Sequence, residues 1–160
     1  MFLTCTKIKD LMTQTFGDSI KEYFIENPSL VPFSQLPCLS VAPIATDIDI
    51  IDTARDSWTY TIDVILIIDA KKELGKYKQE IVGTRYLTET MEGKTSAGVL
   101  RENTVLYVLR NNLRLEDNWY VNNIERIDYS IRQRTDENGK QCIVKEATLR
   151  LSVVRLQNRP

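Results

Sequence analysis

The segment Val64-Ile-Leu-Ile-Ile68 restricts the possible architectures of this chain more than any other stretch. Just before it, Trp58, Tyr60 and Ile62 alternate with Thr59, Thr61 and Asp63, the two-residue period of a strand with one wet face. From Val64 onward both faces are apolar, so a strand over Trp58–Asp69 must be covered on both sides. Such a strand starts at an exposed rim and ends in the middle of a domain. Helices packed on a sheet supply that cover, and the chain carries helical patterns on either side of the strand.

Residues 4–26 read as the first helix. Ile8, Leu11, Met12, Phe16, Ile20, Tyr23 and Phe24 recur at spacings of three and four, and Asn27-Pro28 stops the pattern. A linker with Pro28, Pro32 and Pro37 follows, then a short strand over Cys38–Ala42 closed by Pro43. Lys71–Met91 reads as a second amphipathic helix, with Leu74, Tyr77, Ile81, Val82, Tyr86, Leu87 and Met91 inward. Gly93–Gly98 breaks it. A third helix is expected over Val99–Arg110, using Leu100, Leu106 and Leu109, although the β-branched Thr104–Val108 also suits a strand. Asn111-Asn112 suits a helix exit, since asparagine tolerates the left-handed conformation.

The last third reads as a long β-hairpin. Ile127, Tyr129 and Ile131 alternate with polar residues, as do Ala147, Leu149, Leu151 and Val153. A two-residue turn at Asn138-Gly139 would set Tyr129 against Thr148 and mismatch the faces. A three-residue loop, Glu137-Asn138-Gly139 with Gly139 left-handed, sets Tyr129 against Ala147 and Ile127 against Leu149, and is the expected form. The tip from Arg132 to Lys145 is so charged that it should project from the domain. The reading is therefore one α/β (α+β) domain over residues 1–160: a mixed, largely antiparallel sheet flanked by helices, in the order α-β-β-α-α-β-β. At 160 residues the chain needs no disulfide or metal to fold.

The chain has no histidine, which removes Ser-His-Asp and Cys-His nucleophile activation and any H-E-x-x-H metal site. Acid–base work near neutral pH would fall to carboxylates or lysine with strongly shifted pKa values. Cys5, Cys38 and Cys142 are far apart and form no C-x-x-C pair; they read as small apolar residues in a reducing compartment. No apolar run approaches the roughly 20 residues that span a bilayer, and the N-terminus lacks the pattern of a secretion signal. The stretch Gly93-Lys-Thr-Ser-Ala-Gly98 fails the order of a phosphate loop and follows no strand.

Asp47, Asp49, Asp52 and Asp56, with Arg55 among them, are the one constellation with a chemical look. Paired carboxylates can hold Mg²⁺ or Ca²⁺, but no D-x-[DN]-x-[DN]-G pattern is present, and a solvated or partner-facing edge is the expected role. Charge is also split along the chain. Acids outnumber bases through residue 69, and bases outnumber acids beyond it, with Arg132, Arg134, Lys140, Arg150 and Arg155 in the C-terminal hairpin. Complementary faces on a subunit that packs head to tail with its own copies would use such a split. The acidic edge of one copy would then meet the basic hairpin of the next, so that charge reversal at Asp52 and Asp56 weakens assembly. The acidic sequence pI argues against duplex binding.

Several segments together resemble the tail terminator (tail completion) proteins of contractile- and flexible-tailed bacteriophages. They are Leu36-Pro-Cys-Leu-Ser-Val-Ala-Pro43, then Asp52-Thr-Ala-Arg-Asp56 running into Trp58-Thr-Tyr-Thr-Ile-Asp-Val64. Trp119-Tyr-Val-Asn-Asn-Ile-Glu-Arg-Ile-Asp-Tyr129 and Glu146-Ala-Thr-Leu-Arg-Leu-Ser-Val153 complete the set. The resemblance implies a six-subunit ring that caps the tail tube and offers the surface for head joining. It implies tail tube, neck or connector, and sheath proteins as partners, and a place in the virion tail after assembly in the bacterial cytoplasm. Neither a catalytic residue nor a cofactor is implied, and DNA would only pass through the lumen. Neighbouring head–tail connector proteins share much of this layout, and a carboxylate-dependent metal hydrolase built on Asp47–Asp56 is the alternative from another class.

Overall fold

The computed structural model describes residues 1–31, 33–52, 54–70, 81–116, 119–136 and 138–158. In chain order the elements are α1 (Phe2–Phe16), β1 (Glu22–Ile25), β2 (Cys38–Ile50), β3 (Arg55–Asp69), α2 (Ile81–Glu92), α3 (Val105–Asn111), β4 (Arg114–Glu116), β5 (Trp119–Thr135) and β6 (Gln141–Asn158). The strands form one six-stranded sheet in the order β1-β2-β3-β6-β5-β4. Only β1 pairs parallel, with β2; the rest are antiparallel. This is the mixed, largely antiparallel α+β architecture that the patterns imply.

Both faces of the central segment are buried, by different means. On one face, Val64, Leu66 and Ile68 join Leu39, Val41, Leu149 and Leu151 beneath Ile8 and Met12 of α1, Leu87 and Met91 of α2, and Leu106 and Leu109 of α3. On the other, Ile65 and Ile67 pack with Cys38, Cys142 and Val144 under Val31, Phe33 and Leu36 of the proline-rich linker. Helices therefore cover one face of the sheet and the linker covers part of the opposite face. Cys5, Cys38 and Cys142 are free and buried, and burial pushes the Cys5 and Cys38 thiols up to about 11 and about 12.

The first helix is shorter than expected. It ends at Phe16 because Gly17 takes a backbone conformation (φ 47°, ψ −131°) that side-chain-bearing residues avoid. Tyr23 and Phe24 then point to opposite faces of β1, Tyr23 to the helical core and Phe24 to the linker core, as neighbours on a strand must. Pro43 does not close β2, which runs on to Ile50 with a bulge between Pro43 and Ala45. β1 ends opposite Val41, so Pro43 sits where β2 is an edge strand, and both edge and bulge tolerate its missing N–H.

Of the second helix, Leu74 and Tyr77 and the side chains of Ile81 and Val82 lie outside the described residues; Leu87 and Met91 are buried as expected. The third helix starts at Val105, not Val99. Thr104 caps it, accepting a hydrogen bond from the Tyr107 N–H at 3.2 Å, and residues 101–104 turn into it. It exits at Asn111-Asn112, but Asn112 is not left-handed (φ −122°). Instead the two side-chain amides donate to the last-turn carbonyls of Tyr107 and Val108, at 2.9 and 2.8 Å.

The C-terminal hairpin has the expected register, with Tyr129 opposite Ala147 and Ile127 opposite Leu149. The Asp136 N–H donates to the Lys140 carbonyl at 2.8 Å, which leaves three residues in the loop, and Gly139 is left-handed at φ 77°. A Cβ at Gly139 would meet nothing within 4 Å, so the cost of one is purely that of the backbone. Gly139→Ala should therefore cost about 1 kcal/mol without changing the register, measurable as a lowered denaturant midpoint at constant slope.

Candidate interaction surface

The hairpin tip does not project freely. Arg134 and Glu146 are nearly buried on the linker face, joined by a guanidinium–carboxylate hydrogen bond. Arg134 also donates to the Pro28 carbonyl at 2.7 Å and to Asn27 Oδ1 at 3.0 Å, and Leu30 bridges to Thr135. Cys142 and Val144 alternate onto that same face, so the tip holds apolar positions that the linker seals. Arg132 reaches the other oxygen of Glu146 at 3.2 Å from an exposed position.

Further along this face Arg150 makes a bidentate pair with Asp63, both bonds at 2.8 Å. Asp63 is buried, and its carboxylate holds the Arg150 guanidinium even more firmly protonated. Arg126 stands opposite Arg150 in register and is balanced by Asp128 at 2.8 Å. On the helical face the Arg155 guanidinium lies 4.9 Å from the centre of the Trp119 ring, a cation–π contact. Lys140 is exposed, and its backbone N–H closes the loop onto Asp136 Oδ1 at 2.7 Å. Of the five basic residues singled out in the sequence, Arg134 and Arg150 are thus committed to acids of their own chain, and Arg132 holds its acid from an exposed position.

The acidic residues lie on a different structure, a β2–β3 hairpin that extends past the helical layer. From Ile44 to Ile50 every β2 residue is exposed. Register places Asp47 and Asp49 on the linker-side face, opposite Thr59 and Ser57, and Ile48 and Ile50 on the helical-side face, opposite Trp58 and Asp56. Asp52 folds into the turn: its carboxylate accepts from the Ala54 N–H at 2.8 Å and from Arg55 Nε and Nη2 at 3.0 and 2.8 Å. The Ala54 N–H, then the Arg55 guanidinium, hold this carboxyl below the usual range. Asp56 is on the face opposite to Asp47 and Asp49. The four carboxylates are therefore dispersed, two on one face, one in the turn and one on the other face. Among the described residues no three acidic or cysteine side chains converge as a cation site would require.

What the sequence did not reveal here is the apolar half of this hairpin. Ile44, Ile48, Ile50 and Ile51 are all about half exposed or more, Ile50 reaching 72%. Their alternation with Asp47 and Asp49 was the available signal, and it reads as a strand only once Pro43 is allowed within β2. The Gly93–Gly98 stretch is a tight turn in which the Gly98 N–H donates to the Thr95 carbonyl at 2.9 Å, and it follows α2. No protein-family model and no curated protein matches this chain.

Proposed function

We propose that this chain is a structural subunit that acts by self-assembly: a ring of six copies that caps a phage tail tube at its head-proximal end. Such a ring stops tube growth and presents the surface for head joining, with the tube, neck and sheath proteins as its partners. The observation that carries this reading is the β2–β3 hairpin, whose exposed isoleucines and carboxylates lie on a stretch of β2, Ala45–Ile50, that no described strand pairs on its outer side. Monomeric proteins avoid long exposed edges of this kind, and blunt or cover those they have. The tail-terminator pattern of the Leu36–Pro43, Asp52–Val64 and Glu146–Val153 segments supports the particular assembly.

The mass of the purified protein by light scattering across concentration, with negative-stain images, tests the reading. A mass near six subunits and ring-shaped particles is expected. A monomer at every concentration would overturn self-assembly and turn attention to divalent-cation binding at Asp47 and Asp49. Because Asp52 is satisfied by Arg55, the charge available to a neighbouring copy is that of Asp47 and Asp49. Reversing both to lysine should weaken assembly strongly at low salt. The loss should shrink near 1 M salt, where the screening length is about 3 Å.

A further inference from the structure

The sheet has two open edges. β1 ends opposite Val41, and beyond the Pro43/Ala45 bulge no described strand pairs with the outer side of Ala45–Ile50. At the far side, β4 pairs with Trp119 and Tyr120, the Val121 N–H donates to the Leu113 carbonyl at 2.7 Å, and β5 bulges at Val121/Asn123 and at Ile124/Arg126. From Ile127 to Arg134, where the Leu30 bridge to Thr135 begins, the outer side of β5 is likewise without a described partner. Each open window is regular strand bounded by a bulge or a covering segment, and the two are of similar length.

We infer that these edges are two halves of one junction: β2 of one copy pairs along β5 of the next, continuing the sheet from subunit to subunit. The occupant is a second copy of this chain, and the inference rests on the self-assembly reading above. Topology supplies the direction. β2, β3, β6 and β5 alternate in sense across the sheet, so a neighbour in the same orientation brings its β2 antiparallel to β5 with the helical faces on one side.

Phase supplies the register. The helical-side residues are Thr46, Ile48 and Ile50 on β2, and Ile127, Tyr129 and Ile131 on β5. Setting Ile48 against Ile131 places Ile50 against Tyr129 on that face, and on the other face Asp47 against Arg132 and Asp49 against Ser130. Ile131 and Tyr129 are exposed, Arg132 is exposed while still bound to Glu146, and Ser130 is half-buried. Sliding by two residues in one direction sets Asp49 against Asp128, a repulsive pair; sliding in the other sets Ile48 against Gln133 and Asp47 against Arg134, which Glu146 and the linker already hold. An isologous β2–β2 junction would set Asp47 and Asp49 against their own copies. The contact is therefore heterologous, the type that closes into rings. Since Ile48 lies at the level of Trp58 and Ile131 at the level of Ile68, neighbours are displaced along the strands. Closing tilted strands into a ring also involves a stagger between neighbours.

Oxidation of the full-length double variant Ile48→Cys/Ile131→Cys tests the junction, with each single variant and the out-of-phase pair Ile48→Cys/Ser130→Cys as controls. Both changed positions are exposed and the native cysteines are buried, so folding and background are unaffected. A ladder of covalent multimers past the dimer is expected on a non-reducing gel from the in-phase pair alone. Multimers by light scattering without that ladder would overturn the strand junction and leave self-assembly standing. An equal ladder from the out-of-phase pair would overturn the register. A monomer by light scattering with no ladder would overturn the junction and the self-assembly reading together.

Discussion

Replacing Arg134 with alanine is expected to destabilise the protein by about 3 kcal/mol and to free the linker over residues 26–37 for proteolysis. The guanidinium is the main partner of a carboxylate, Glu146, that is only 2% exposed. It also holds the Pro28 carbonyl and Asn27 Oδ1, which fastens the linker over Ile65, Ile67 and Val144. Among the described residues, truncation leaves Glu146 with the exposed Arg132 alone, and it removes both clamps on the linker. Arg132→Ala is the matched comparison: its side chain is 61% exposed, and the loss should stay below about 1 kcal/mol. Equilibrium urea unfolding of the two variants, followed by limited proteolysis under native conditions, measures both effects. Equal losses would mean that Glu146 does not depend on Arg134.

Leu66→Ala should cost about 3–4 kcal/mol, the largest effect of any single substitution considered. Leu66 is fully buried at the centre of the sheet, between Leu39 on β2 and Ala147 on β6, with the helical layer above. Its neighbours are held by three paired strands, so the cavity cannot collapse. Ile48→Ala, on the same sheet face but beyond the helices, should change the stability of the isolated chain by less than about 0.5 kcal/mol. A denaturation midpoint that shifts equally for both would contradict the division of this face into a core and a free arm.

Local chemistry made some features legible in the sequence. The hairpin register follows from a parity argument on Tyr129, Ile127, Ala147 and Leu149, and only a three-residue loop satisfies it. The two-sided burial of Val64–Ile68 follows from the absence of any polar residue over five positions. The apolar spacing through Phe24 runs across Gly17, where the first helix in fact stops, so the spacing alone reads as one helix. Tyr23 and Phe24 look like one helical stripe until β1 sends them to opposite faces.

The charged constellations were legible as residues but not as arrangements. Asp47–Asp56 is a single acidic run in the sequence, yet strand alternation and a turn send its carboxylates to three places. The Arg132–Lys145 tip is charged enough to suggest a free arm. Its inward positions, Cys142 and Val144, are buried because a linker more than a hundred residues earlier in the chain lies across them. Side-chain period and turn chemistry are local properties, so the sequence by itself determined the central strand, the C-terminal hairpin and the loop that sets its register, but not β1, β4 or the run of β2 past Pro43. Which segment covers each face, which arginine meets which acid, and which edges stay open depend on contacts between residues distant in the chain. Those the tertiary structure alone decided, because burial and pairing energies act through space and the period of a single segment carries no record of its partner.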